Sequence, residues 1–265
     1  MAVFGTTLPL LDQSWLKYRR AKEHLYALNT AMRVFFDTNP NAVVHEYDSE
    51  ESKNLFRFKK FRDVPGESWG LILGDVVHNA RSALDYLAWR LAGSDLADIK
   101  TQFPIHIAPD KFKDAAWRLK LIHTDALAEI GKLQPYNGSN PKRNALWLLQ
   151  ELDARDKHKL VTVIETVTNP SKFVVNAPIP ATVPYNAIGT IKPDAVLLEY
   201  PGPNQPNVDV EINLVTAILF ERGIISDTED YELMPCLFKI IERVEEILLW
   251  FDKLLRLHPD WIRTP

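Results

Sequence analysis

Apolar residues recur along this chain with two different periods, and the change from one to the other divides it. Over 13–36, Tyr18, Ala21, Leu25, Leu28, Met32 and Phe35 follow one another at alternating three- and four-residue steps, the apolar stripe of a helix. "TNPN" at 38–41 ends it. "AVVHEYDSEESKNLFRFKKF" then alternates apolar and polar positions around a polar centre, which predicts two strands joined by a turn. A long helix is predicted over 67–92. After it, "TQFPIHIAPDKFKDAAW" reads as a short extended piece leading into a short helix that begins near Asp110. A second short helix is predicted over 125–133. "QPYNGSNPKRN" is a loop by its Pro, Asn, Gly and Ser. Asn140 or Ser139 is placed to cap the next helix, which has Pro141 in its first turn and runs to about His158.

At Leu160 the pattern shifts. "LVTVIETV", "KFVVNA", "AVLLEY" and "VDVEINLVTAILFE" are rich in β-branched residues and separated by turn formers, which predicts four or more strands. The last helix, 235–255, carries Leu237, Ile240, Val244, Leu248, Phe251 and Leu255 on one face. No internal repeat or low-complexity run interrupts the sequence. The expected class is α+β: a helical core of about four long helices with a mostly antiparallel β-sheet. One domain over 1–265 is expected, its helical core drawn from 1–158 and 229–257. The β-rich segment 159–226 is a candidate subdomain.

Bulk properties narrow the chemistry. A net charge of −4 speaks against nucleic-acid binding through a broad basic face, though not through a local basic cleft. With Cys236 the only cysteine, an intramolecular disulfide and a cysteine-rich zinc site are both excluded. "MAVFGTTLPLLDQSW" has no basic n-region and no sustained apolar stretch, and no window approaches the ~20 apolar residues of a membrane span. A cytoplasmic protein with no membrane partner is the expectation. No GxGxxG, P-loop, HExxH or GxSxG is present, which disfavours kinase, classical dinucleotide-dependent and zincin chemistry. No cofactor is called for.

The helix 67–92 is the stretch whose polar side does not look ordinary. Leu73, Val76, Val77, Ala80, Leu84, Leu87, Ala88 and Leu91 share one sector, the expected buried face. Asp75, His78, Ser82, Asp85 and Trp89 share the opposite one, with Arg81 at its edge. A solvated face usually draws on Lys, Glu and Gln, whereas these residues are mostly short, hydrogen-bonding and mediocre helix formers. A second packed neighbour on that side would explain them, and Trp89 among them. On the helix 141–158, Ala145, Leu148, Leu149 and Leu152 mark the buried side, and four residues beyond Leu152 comes Asp156, with Asp153 nearby. A carboxylate directed into an apolar interface needs a partner. Arg81 and His78 are the candidates. Arg155, Lys157, His158 and Lys159 close the same helix, where cations interact favourably with its dipole.

If the two helices are antiparallel neighbours, His78, Arg81, Asp85, Asp156 and His158 converge. Such a set admits three readings. His78 and His158 can act as acid and base while Arg81 stabilises a phosphorane-like charge, which is metal-independent RNA cleavage. His78, Asp85, Asp156 and His158 can instead ligate a divalent metal for hydrolysis. Or the set fastens two helices and does no chemistry.

"HNARSALDYLAWRL" and "LWLLQELDARDKHKLV" together resemble a pattern of uncharacterised bacterial proteins, H-N-x-R-S-A-L-D on one helix and a D-K-H ending on another. More loosely, helix pairs that bear Arg and His resemble the HEPN superfamily, whose members include ribonucleases of toxin–antitoxin and phage-defence systems. The HEPN signature sets four to six residues between an Arg and a following His. Here Arg155 and His158 have two residues between them, and Arg19 and His24 have four but lie in the first helix. The resemblance implies a nucleic-acid-directed protein, a metal-independent ribonuclease of a bacterial defence or toxin type, with RNA as its partner. The alternatives are a non-catalytic binding or assembly protein with a structural His/Arg/Asp network, and a metal-dependent hydrolase. Homo-oligomerisation stays open, and no protein partner can be named from the sequence. "FRFKKFRD" interleaves aromatic and basic residues, as a Lys-protected edge strand or a single-strand binding surface would. His45, His106 and His123 lack ligand spacing and read as surface or satisfied core.

Overall fold

The computed structural model describes residues 10–93, 97, 100–161, 163–176, 191–204, 209–221, 223–225 and 231–262. The chain is an α+β protein and divides into two compact units. The first takes Met1–Asn29, Glu67–Thr162 and Arg222–Pro265, and the second takes Thr30–Gly66 and Val163–Glu221.

The first unit is helical. Its elements come from α1 (Asp12–Phe36), α2 (Gly66–Ala92), α3 (Pro109–Ala115), α4 (Thr124–Lys132), α5 (Ala145–Asp156) and α6 (Leu233–Leu257). The periodic stripes are the buried faces. Tyr18, Ala21, Leu25 and Leu28 of α1 are buried, and so are Leu73, Val76, Val77, Ala80, Leu84, Leu87, Ala88 and Leu91 of α2. Leu237, Ile240, Val244, Leu248, Phe251 and Leu255 do the same for α6, which packs on α5.

Glycines set how closely the chain approaches α2. A Cβ on Gly70 would lie within 3 Å of the Val161 carbonyl oxygen, and one on Gly74 within 3 Å of the Asp156 carboxylate. The end of α5 and the residues after it can pass so close only because these two positions lack side chains.

The helix predicted over 141–158 is shorter than the sequence suggests at both ends. Pro141–Arg143 form a separate 3-10 turn, and Asn144 leaves the helical region with ψ 137°. The Asn144 side chain then caps α5, its Oδ1 accepting a hydrogen bond from the Leu146 amide at 2.9 Å. The cap is therefore Asn144 and not Asn140 or Ser139. At the other end α5 stops at Asp156.

The second unit holds the strands, β1 (Asn41–Asp48), β2 (Lys53–Lys60), β3 (Val163–Asn176), β4 (Val196–Pro201) and β5 (Asp209–Phe220). β1 and β2 form an antiparallel hairpin with Asn41 opposite Lys60 and Asp48 opposite Lys53, and β4 pairs with the other side of β2. Phe58, Ile191 and Leu197 make a small core there, with Val43 and Ala195 packed against it. β3 and β5 form a separate antiparallel pair.

Two expectations are corrected in this unit. "LVTVIETV" and "KFVVNA" belong to one long strand, β3. The intervening Asn169, Pro170 and Ser171 are absorbed as an irregularity in register between Thr168 and Lys172, so the described part of the β-rich segment has three strands and not four or more. A bulge tolerates the missing N–H of a proline, so the turn formers did not end the strand. β2, which carries "FRFKK", is the central strand of its sheet and not an edge. Its basic residues are matched by acids: Arg57 pairs with Glu46 at 2.9 Å, and Lys59 bridges Glu46 at 2.8 Å and Asp194 at 2.6 Å. No described helix is long and apolar enough to cross a membrane.

Candidate functional site

The polar face of α2 has two halves with different neighbours. Toward the C-terminal end of the helix, the extended segment 101–106 lies against it. Trp89 Nε1 donates to the Thr101 carbonyl at 2.7 Å. One turn earlier, the Phe103 backbone is clamped from both sides. Its amide donates to Asp85 Oδ1 at 2.9 Å, and its carbonyl accepts from Arg81 Nη2 at 2.7 Å. Arg81 and Asp85, one helical turn apart, also pair with each other at 3.0 Å. An extended stretch with no strand beside it would otherwise leave these backbone groups unsatisfied. Gln134 holds the next residues, its Nε2 donating to the Pro104 carbonyl at 2.8 Å and its Oε1 accepting from the His106 amide at 2.9 Å. The Arg81 side chain is only 8% exposed. Burial pushes the Asp85 carboxyl above its ordinary range, opposed by the Arg81 charge and the Phe103 amide.

The other half faces outward. His78 is 56% exposed, and its Nδ1 stands 3.6 Å from Oδ1 of Asp153, which is 3% exposed on α5. Lys157, one turn further along the chain, takes the second oxygen of Asp153 at 2.6 Å. Asp75, also exposed, lies 3.7 Å from Nδ1 of His24 on α1. Asp156 is half-buried beside Gly74. Burial, together with the charges of Asp153 and Asp75, raises its pKa, and His78 acts in the opposite sense. The surroundings of His78 are thus predominantly acidic.

The five residues singled out from sequence are distributed between these halves. Arg81 and Asp85 belong to the clamp, and the carboxylate that Arg81 meets is Asp85. His78 meets Asp153 and stands near Asp156. His158 is exposed in the turn after α5, its amide donating to the Arg155 carbonyl at 2.9 Å, and its side chain makes no hydrogen bond or ion pair with the described residues. α5 ends at Asp156, so His158 lies beyond the helix in the turn that follows it. Among the described residues, no group of three or more His, Cys, Asp or Glu is arranged to hold a metal ion. Cys236 is buried and its thiol is pushed up to about 12, so it stays protonated.

A cavity of about 120 Å³ adjoins the clamp. Arg81, Gln102, Phe103, His106, Arg118 and Gln150 are among the residues that line it, and among the described residues no acidic side chain does. Its polar groups come from α2, the 101–106 segment, the 3-10 turn at Ala116–Leu119 and α5. Burial and the charges of Arg118 and Arg81 lower the pKa of His106. His106, read from the sequence as surface or satisfied core, lines this cavity, and Arg118, Gln102 and Gln150 carry no signal of their own in the sequence that marks them. The signal that leads to them is indirect: Trp89 and Asp85 require a second neighbour, and "TQFPIHI" is the extended stretch that follows their helix. A wider cleft of about 520 Å³ lies where α5 begins beside α6. Its charges are largely matched, with Lys239 donating to the Arg143 carbonyl at 3.0 Å and Arg243 paired with Glu246 at 2.9 Å.

Comparison with protein-family models, with curated proteins and with solved structures gave no match.

Proposed function

We propose that this is a non-catalytic binding or assembly protein, in which the His/Arg/Asp set of α2 fastens the helical unit together. The observation that carries this reading is the clamp. Arg81 and Asp85 face each other and the backbone of one residue, Phe103, and no space is left between them for a reacting group. A catalytic pair would need its polar atoms directed at substrate within hydrogen-bond reach.

One observation favours a second reading, a metal-independent ribonuclease. His78 is exposed, with the buried Asp153 carboxylate behind it at 3.6 Å, a placement open to an approaching substrate. Against it stands the acidic surround of Asp75, Asp153 and Asp156, which repels a phosphodiester.

Incubation with end-labelled RNA, with and without EDTA, separates the readings. The expected result is intact RNA for both the native protein and a His78→Ala/His158→Ala variant. Cleavage that survives EDTA and disappears in the variant would overturn the proposal in favour of a ribonuclease. Cleavage abolished by EDTA alone would replace it with a metal-dependent hydrolase.

A further inference from the structure

We infer that the cavity beside the clamp is a binding site for a tetrahedral oxyanion, a phosphate either free or as the terminal group of a small phosphomonoester. Three observations converge on it, and none depends on whether RNA is cleaved at His78.

The first is charge. The chain is acidic overall, yet this cavity is lined by two guanidinium groups and an imidazole, with no acidic side chain among the described residues of its wall. Asp85 neutralises Arg81 from outside the lining, while Arg118, exposed and lying over the Trp117 ring, has no carboxylate partner among the described residues. His106 is held below its ordinary pKa first by burial and then by the charges of Arg118 and Arg81. An anion in the cavity would meet the uncompensated charge of Arg118 beside the buried, Asp85-paired Arg81, and charge-assisted hydrogen bonds are the strong ones.

The second is unused donor capacity. Arg81 directs Nη2 to Asp85 and the Phe103 carbonyl, while its Nη1, with almost no accessible surface, has no hydrogen-bond partner among the described residues. A buried guanidinium nitrogen without a partner is uncommon and calls for an explanation. Gln102 and Gln150 add amide donors from two further elements. Donors that arrive from four elements suit an anion with oxygens pointing in several directions, more than a flat carboxylate with two.

The third is size. A volume of about 120 Å³ corresponds to roughly four waters at ~30 Å³ each. It falls well short of the ~300–1,000 Å³ that holds a drug-sized ligand. A phosphate fits, and the body of a larger phosphomonoester would stay outside.

The test is calorimetric titration of the full chain with inorganic phosphate and, separately, with glycerol phosphate, against sodium chloride of equal ionic strength and sodium acetate. Saturable binding of either phosphate species, at least tenfold tighter than acetate, is expected. The preferred species tells whether the cavity takes the free ion or a terminal group. Arg118→Gln should weaken that binding about tenfold, the loss of one charge-assisted contact. Gln102→Leu should weaken it by a smaller factor and serves if the first variant does not fold. Heat no different from that of chloride would overturn the inference. So would acetate binding as tightly as phosphate, or Arg118→Gln and Gln102→Leu both binding phosphate like the native chain.

Discussion

Along one face of one helix, α2 carries two polar groups that look alike in sequence and have opposite circumstances. His78 and Asp75 stand in water, their partners drawn from neighbouring helices at ion-pair distance. Arg81 and Asp85, one to two turns on, are covered by the 101–106 segment and joined to its backbone by bonds of 2.7–2.9 Å. The difference lies in what arrives on top. The same kinds of residue make a loose surface cluster where nothing covers them, and a lock where a backbone needs its donors and acceptors met.

The sharpest way to break this contrast is to delete the covered half. Arg81→Ala leaves Asp85 and the Phe103 carbonyl without their cation, and thermal or urea unfolding should show a loss of about 3–5 kcal/mol, the cost of stripping one partner from a buried pair. Gly74→Ala attacks the approach of α5 to the same helix. Its new methyl would meet the Asp156 carboxylate, and overpacking of this kind costs about 1–3 kcal/mol in the same assay. Trp89→Phe keeps most of the ring and removes only its donor to the Thr101 carbonyl, for an expected loss of roughly 0.5–1.5 kcal/mol.

On the exposed half, His78→Ala should change stability by less than about 0.5 kcal/mol, since Lys157 still accompanies Asp153. Equal losses for Arg81→Ala and His78→Ala would dissolve the comparison. A pH series adds a further distinction. His106, beside the clamp, has its pKa lowered from 6.5, so below that value the unfolded chain takes up a proton that the folded one resists. The stability linked to His106 is fully present above 6.5 and is lost as pH falls through the depressed folded value. His106→Gln should flatten that part of the pH–stability curve, read from urea midpoints.

Much of the scaffold was legible because long periodic stripes leave little choice. The faces of α1, α2 and α6 follow from the spacing of Leu25 and Leu28, of Leu84, Leu87 and Leu91, and of Leu237, Ile240 and Val244. The half-covered state of the α2 polar face was also legible, through Trp89. Local turn chemistry misled where tertiary pairing outweighed it: Pro170 signalled a break that β5 bridges across a bulge.

The α5 carboxylates show the limit of pattern reading. Extending the stripe from Leu152 selects Asp156, yet Asp153, one turn after Leu149, is the more deeply buried of the two. Asp156 meets α2 where Gly74 offers no side chain, and that depends on how two helices approach each other. Of the clamp, only the Arg81–Asp85 spacing is local. Phe103 reaches Asp85 across 18 residues, and Arg118 and Gln150 come from further still, so no spacing rule could assemble the cavity.

The division of the chain carries one more consequence. The backbone passes between the two compact units at 29/30, 66/67, 162/163 and 221/222. Neither unit is a contiguous stretch, so no single truncation can release one intact for separate expression. A fragment beginning at Val163 would lack the hairpin of β1 and β2 that pairs with β4, and one ending at Thr162 would lack α6. Contacts between residues so distant in sequence close late, and folding should be slow for a chain so rich in helix. A protease nick in the β3–β5 pair should leave two fragments that co-migrate on a native gel and part only in denaturant.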